Sequence, residues 1–232
     1  MKYFFFLFVA VLIFSCQKKE KNEITYNLVD KYIDSTNSGE KGKTRIVAEQ
    51  FQRNDDSGAF VILNFYHKEK IIDYKSQKYK YKWHFDNRYY FETTSPLGIG
   101  ANLQDFNNDG FKDFTYQSST AARGGNEVRK LFIYNPVSKK FNYIRNSERY
   151  PNLFYNSKLN CIGSIILTGS TTSYFLKIKK DTLYDFAKVD ASDSVLVKER
   201  NENGEYQIIQ KRKLNKNEDE LSTFSNFKPL EK

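Results

Sequence analysis

From Thr44 onward the chain is dominated by a two-residue hydrophobic period, and that period leaves little choice of architecture. The clearest stretch is Lys78-Tyr79-Lys80-Tyr81-Lys82-Trp83-His84-Phe85, where lysine alternates with an aromatic residue until the last pair. Successive side chains of a strand point to opposite faces, so such alternation predicts a strand with one face buried and one wet. A turn is expected at Asp86-Asn87-Arg88, with a strand resuming at Tyr89-Tyr90-Phe91. Phe60–Tyr66 reads as an apolar strand before it. Later candidates are 114–117, 130–134, 141–144, 162–167, 174–179, 183–189, 194–199 and 206–212. Turn chemistry separates them, including Asn135-Pro136, Thr168-Gly169-Ser170, Lys180-Asp181 and the Asn-Gly of residues 203 and 204. Twenty Phe and seventeen Tyr against four Pro and one Met fit the same picture. The prediction is an all-β fold, an antiparallel meander forming a sandwich, barrel or propeller-like domain over residues 44–213. No internal repeat of the kind a full propeller carries is present.

The segments flanking this domain read differently. Lys2 precedes the apolar run Tyr3–Phe14, too short for the roughly 20 residues that cross a bilayer and suited to a signal peptide. It ends in Leu12-Ile13-Phe14-Ser15-Cys16, which resembles the lipobox of bacterial lipoproteins. That resemblance implies removal of residues 1–15, acylation of Cys16 and a lipid anchor in a membrane. A plain secretory signal, or a short uncleaved anchor with Cys16 incidental, is the other reading. Residues 16–43 read as the lipidated cysteine and a polar tether, with a short helix marked by Leu28, Tyr32 and Ile33 around Tyr26 to Asp34. The basic balance of Gln17-Lys18-Lys19-Glu20-Lys21 points to a periplasm-facing rather than surface-exported protein. Residues 214–232 read as a charged, frayed tail.

Charge and cysteine content narrow the functions. The formal net charge is +9, but the lysines are scattered among 28 acidic residues and read as solvating. Beyond an inner membrane, nucleic acid is not an expected partner; anionic lipid or envelope glycan is. There are two cysteines. With Cys16 acylated, Cys161 has no intrachain partner and reads as a small buried hydrophobe. Motifs for a serine hydrolase, zinc protease, P-loop or redox dithiol are absent, and the two histidines do not stand at metal spacing. A non-enzyme is therefore expected, monomeric, with a binding or structural role.

One stretch carries chemistry: Asp105-Phe106-Asn107-Asn108-Asp109-Gly110-Phe111-Lys112-Asp113, a D-x-N-x-D-G-x-x-D loop. Oxygen side chains at alternate positions suit calcium, a hard cation that takes six to eight oxygens. Asp105, Asn107, Asp109 and Asp113 are the candidate side-chain ligands, with Phe111 offering its carbonyl and Gly110 the sharp turn. An Asx turn without an ion is the competing reading. A glutamate at the twelfth position and flanking helices are both missing. The loop resembles instead the calcium loops of FG-GAP and VCBS repeats, which lie between strands.

Downstream, Leu131-Phe132-Ile133-Tyr134, the turn Asn135-Pro136-Val137-Ser138 and Lys139-Lys140-Phe141 follow in order. This order resembles a family of bacterial envelope lipoproteins with one calcium loop followed by a Tyr-Asn-x-x-Ser/Thr-Lys-x-Phe hairpin. Some members are immunity proteins that inhibit lysozyme-like effectors. The resemblance implies, as the alternative to a plain binding or structural role, an inhibitor of a lysozyme-like peptidoglycan hydrolase. The candidate partner-binding loop is Ser118 to Asn126, with Ser118, Ser119, Arg123, Gly124, Gly125 and Asn126 as its polar and flexible positions.

Overall fold

A computed structural model describes residues 23–93 and 98–228. The signal segment and Cys16 lie outside these described residues. The described residues are all-β, in three antiparallel sheets, each a simple meander. Sheet one holds β1 (Tyr26–Asp34), β2 (Thr44–Arg53), β3 (Ala59–Asp73) and β4 (Lys78–Thr93). Sheet two holds β5 (Asn102–Gln104), β6 (Asp113–Ala121), β7 (Asn126–Asn135) and β8 (Lys140–Ile144). Sheet three holds β9 (Phe154–Asn156), β10 (Cys161–Leu167), β11 (Thr171–Lys179), β12 (Thr182–Ala191), β13 (Ser194–Arg200) and β14 (Tyr206–Lys213). No sheet closes into a barrel among the described residues; strands follow one another in order within each sheet, as in a stacked sandwich.

The stacking follows from the sequence of β7. Leu131, Phe132, Ile133 and Tyr134 are all buried, so this strand has no wet face. Phe132 and Tyr134 join Phe114, Tyr116 and Phe141 against Ile46, Ala48, Val61, Leu63 and Phe65 of sheet one. Leu131 and Ile133 point the other way and pack with Ile162, Leu176 and Leu183 of sheet three. Sheet two is thus the middle layer, and an unbroken apolar run is what a strand covered on both faces requires. Phe65 stands at the centre of the first interface, its ring 4.9 Å from Phe141 and 5.4 Å from Phe132. Burying such a side chain is worth about 1.5–3 kcal/mol. The far face of sheet three buries Phe175, Val189, Val195 and Val197.

Four expectations are corrected. Residues Tyr26–Asp34, read as a short helix within a tether, form β1. The spacing of Leu28 and Tyr32 mimics a helical face, but the backbone pairs along β2 and Tyr32 stacks on Phe114 at 5.9 Å. Pairing with an existing edge outweighs so weak a local preference. The tail is not wholly frayed, because Phe227 is buried against Phe175 and Phe186 on the open face of sheet three. Asp86-Asn87-Arg88 is no turn: β4 runs through it, with Phe65 opposite Asn87 and Tyr66 opposite Phe85. Asp86 is the extra residue of a β-bulge, and its carboxylate meets His67 Nδ1 at 2.5 Å. Finally, Lys78–Trp83 has no buried face. β2 stops at Thr44, opposite His67, so β3 and β4 continue beyond it as a bare two-stranded ribbon.

Candidate functional site

The D-x-N-x-D-G-x-x-D loop joins β5 to β6. Asn108 and Gly110 take the left-handed backbone conformation, at φ 57° and 88°. The latter suits glycine, which has no Cβ to strain. Asp105 accepts hydrogen bonds from the amides of Asp109 (3.2 Å) and Gly110 (2.8 Å). Asp109 accepts from the Phe111 amide (2.9 Å) and from Asn107 Nδ2 (2.8 Å). Three candidate ligands, Asp105, Asn107 and Asp109, are therefore brought together in one exposed turn.

Asp113 is different. It opens β6 with its side chain fully buried. One carboxylate oxygen accepts the Phe106 amide at 2.8 Å, and the other accepts the Tyr134 amide at 2.9 Å. These bonds hold the loop against β7 where the β6–β7 ladder ends. Burial pushes the Asp113 carboxyl up to about 8, the two amides oppose that, and the charges of Asp109 and Asp105 add to it. No lysine, arginine or histidine forms an ion pair with Asp113 among the described residues. An ionised carboxylate so placed is costly without a cation.

The donor chemistry fits a hard cation: carboxylate oxygens, an amide oxygen and the Phe111 carbonyl on one loop. The Asn107 and Asp109 side chains are turned onto each other. Among the described residues no three His, Cys, Asp or Glu side chains gather as a metal-binding group.

A second loop braces this one, and sequence reading missed it. The Gly39 amide donates to the Lys112 carbonyl at 2.7 Å, joining residues 35–43 to the β5–β6 loop. Gly39 is left-handed at φ 51°, and a Cβ there would meet the Tyr134 ring at 2.8 Å. Asp34 sets this segment by accepting the amides of Ser38 (2.8 Å), Asn37 (3.1 Å) and Thr36 (3.3 Å). Burial raises the Asp34 carboxyl, but these amides outweigh it and the net shift is downward. The signal was an aspartate followed by Ser-Thr-Asn-Ser, which is turn chemistry.

The candidate partner loop, Ser118 to Asn126, takes in the end of β6, the connection 122–125 and the first residue of β7. Two of its positions serve the fold. Asn126 is buried and bridges sheets two and three, donating to the Leu167 carbonyl (2.9 Å) and accepting the Leu167 amide (2.8 Å). Ser118 is buried too and donates to Glu148 Oε1 at 2.7 Å, while Glu148 pairs with Lys130. The accessible tip is Ala122-Arg123-Gly124, with φ of 48°, 55° and 91°. Beside Ser118, Ser119 and Glu148 lies a cleft of about 500 Å³ that also touches Phe60, Tyr90 and Arg53. Cys161 is buried, and burial pushes its thiol up, away from reactivity.

No protein-family model matches the chain, and no curated protein matches it. One solved structure, described as that of a Xanthomonas Type IV Secretion System related protein, aligns with a TM-score of 0.46 at 10% identity. The alignment covers 80% of this chain and 99% of that one.

Proposed function

We propose that this chain is a non-catalytic binding or structural module of the bacterial cell envelope, lipid-anchored through Cys16, whose Asp105–Asp113 loop holds a structural calcium ion. The observation that carries the calcium reading is Asp113: a buried carboxyl close to two further carboxylates, with no cation paired to it among the described residues. Asp105, Asn107, Asp109 and Asp113 would hold the ion with the Phe111 carbonyl. A divalent cation there would cancel the mutual repulsion and lock the loop between β6, β7 and residues 35–43. Its role is mechanical; this chain's residues hold and orient strands. Isothermal titration should show calcium binding, and chelator should lower Tm; absence of both at millimolar calcium overturns the reading. The anchor is tested by mass spectrometry of the native product, where an acylated Cys16 is expected and an intact Met1 without fatty acyl groups would refute it.

A second reading is inhibition of a lysozyme-like peptidoglycan hydrolase. The supporting observation is the hairpin tip, where three consecutive left-handed residues present Arg123 to solvent. Such strain at a tip costs about 1 kcal/mol or more per non-glycine residue and points toward use. A guanidinium there could pair with a catalytic carboxylate. Purified protein should then slow a lysozyme-type enzyme, and Arg123→Ala should abolish the effect; no slowing of any such hydrolase removes this reading.

A further inference from the structure

We propose that the bare β3–β4 ribbon is a docking element for an anionic membrane surface, separate from the Cys16 anchor and independent of it. Beyond His67 the ladder joins β3 to β4, from Lys68 opposite Trp83 to Asp73 opposite Lys78, and the Lys68 amide makes one last bond to the Lys43 carbonyl at 2.6 Å. At about 3.3 Å per residue this ribbon projects roughly 20 Å past the end of β2. A two-stranded ribbon with no hydrophobic layer beneath it is marginal alone in water, and gains by being covered.

Its two faces have distinct chemistry. Directly opposed residues share a face, so one side carries Tyr79, Tyr81 and Trp83 with Ile72, Lys68 and Lys70, and no acid. The Lys70 ammonium lies 3.6 Å from the Tyr79 ring centre, and Lys68 lies 5.5 Å from both Tyr81 and Trp83. The other side carries Lys78, Lys80 and Lys82 with Ile71, Glu69 and Asp73. Between residues 68 and 83 there are six lysines against two carboxylates, which sets an anionic partner. At the distal end the exposed apolar groups occur on both faces and at the turn: Ile71, Ile72, Tyr79 and Tyr74, the last 84% exposed.

That distribution selects the occupant. A partner lying on one face would leave the opposite apolar groups wet, whereas entry into a headgroup layer covers both. Tyrosine and tryptophan settle at the depth of lipid headgroups. Lysines extend their stems along apolar surface and keep their ammonium groups at the anionic boundary. A second copy of the ribbon is disfavoured, because edge lysines repel their like.

Trp83 is the chain's single tryptophan, so intrinsic fluorescence reports this ribbon and not the amino terminus. The experiment uses the full chain with vesicles of phosphatidylcholine alone or with 30% phosphatidylglycerol added. The expected result is a blue-shifted Trp83 emission, quenched by spin-labelled lipid, on the anionic vesicles only and reversed by high salt. A lysine near an anionic surface is worth roughly fivefold in partitioning, so K78S/K80S/K82S together should weaken binding on the order of 100-fold. Ile72→Ser with Tyr74→Ser should remove the lipid quenching, with Tm unchanged because the ribbon lies outside the core. Emission that does not respond to anionic vesicles overturns the proposal. So does emission that responds equally to neutral ones, or only to a soluble acidic polysaccharide.

Discussion

Calcium binding at the β5–β6 loop should appear as a pH-dependent change in stability, and Asp113 sets its sign and size. Its folded carboxyl sits at about 8 against 3.8 for the free side chain. Without a metal, the folded protein keeps a proton on Asp113 across that window while the unfolded chain has released it. The folded state therefore binds more protons, and unfolding free energy falls as pH rises through the window, levelling above it. At 1.36 kcal/mol for each pH unit of that window, the ceiling for this group is about 6 kcal/mol. Calcium binds the ionised form, so it competes with the proton and stabilises more at pH 8 than at pH 5. At one hundred times Kd the gain is about 2.7 kcal/mol, or roughly 5–10 °C in Tm for a domain of this size. Thermal melts at pH 5 and pH 8, with calcium or with chelator, check this. Asp113→Asn should flatten the metal-free slope and remove the calcium response. The reasoning is refuted if calcium leaves Tm unchanged at pH 8, or if the metal-free slope survives Asp113→Asn.

Three further outcomes are expected. Asn126→Ala should cost about 3 kcal/mol, because it strands both the amide and the carbonyl of Leu167 between two sheets, whereas Arg123→Ala should stay within about 0.5 kcal/mol; urea melts compare them. Gly39→Ala should cost about 1–3 kcal/mol from left-handed strain and the clash with Tyr134, and should also weaken calcium affinity by loosening the brace on Lys112, read by titration calorimetry. Incubation of the protein with peptidoglycan fragments should yield no hydrolysis product; a released muropeptide would show the non-catalytic proposal to be wrong.

Strand positions were legible because burial on a pleated surface imposes a period of two, and the later strand candidates fall inside β6 to β14. The run Leu131–Tyr134 was legible as a strand, but that both its faces are covered came from the stacking of the sheets. The oxygen spacing of the loop was equally plain, because a tight turn makes alternate residues converge. Lys78–Trp83 misled, because alternation records what a strand could bury and not whether a layer lies beneath it. Only the tertiary structure decided that β2 ends before the ribbon begins. It also decided that Asp86 bulges, that Asn126 and Ser118 face inward, and that residues 35–43 brace the loop. These depend on contacts between groups far apart in the chain, whereas periodicity and turn chemistry are properties of neighbours. The sequence by itself determined an all-β chain with one oxygen-rich turn; which faces are covered, and which carboxyl lies buried beneath that turn, came from how three sheets stack.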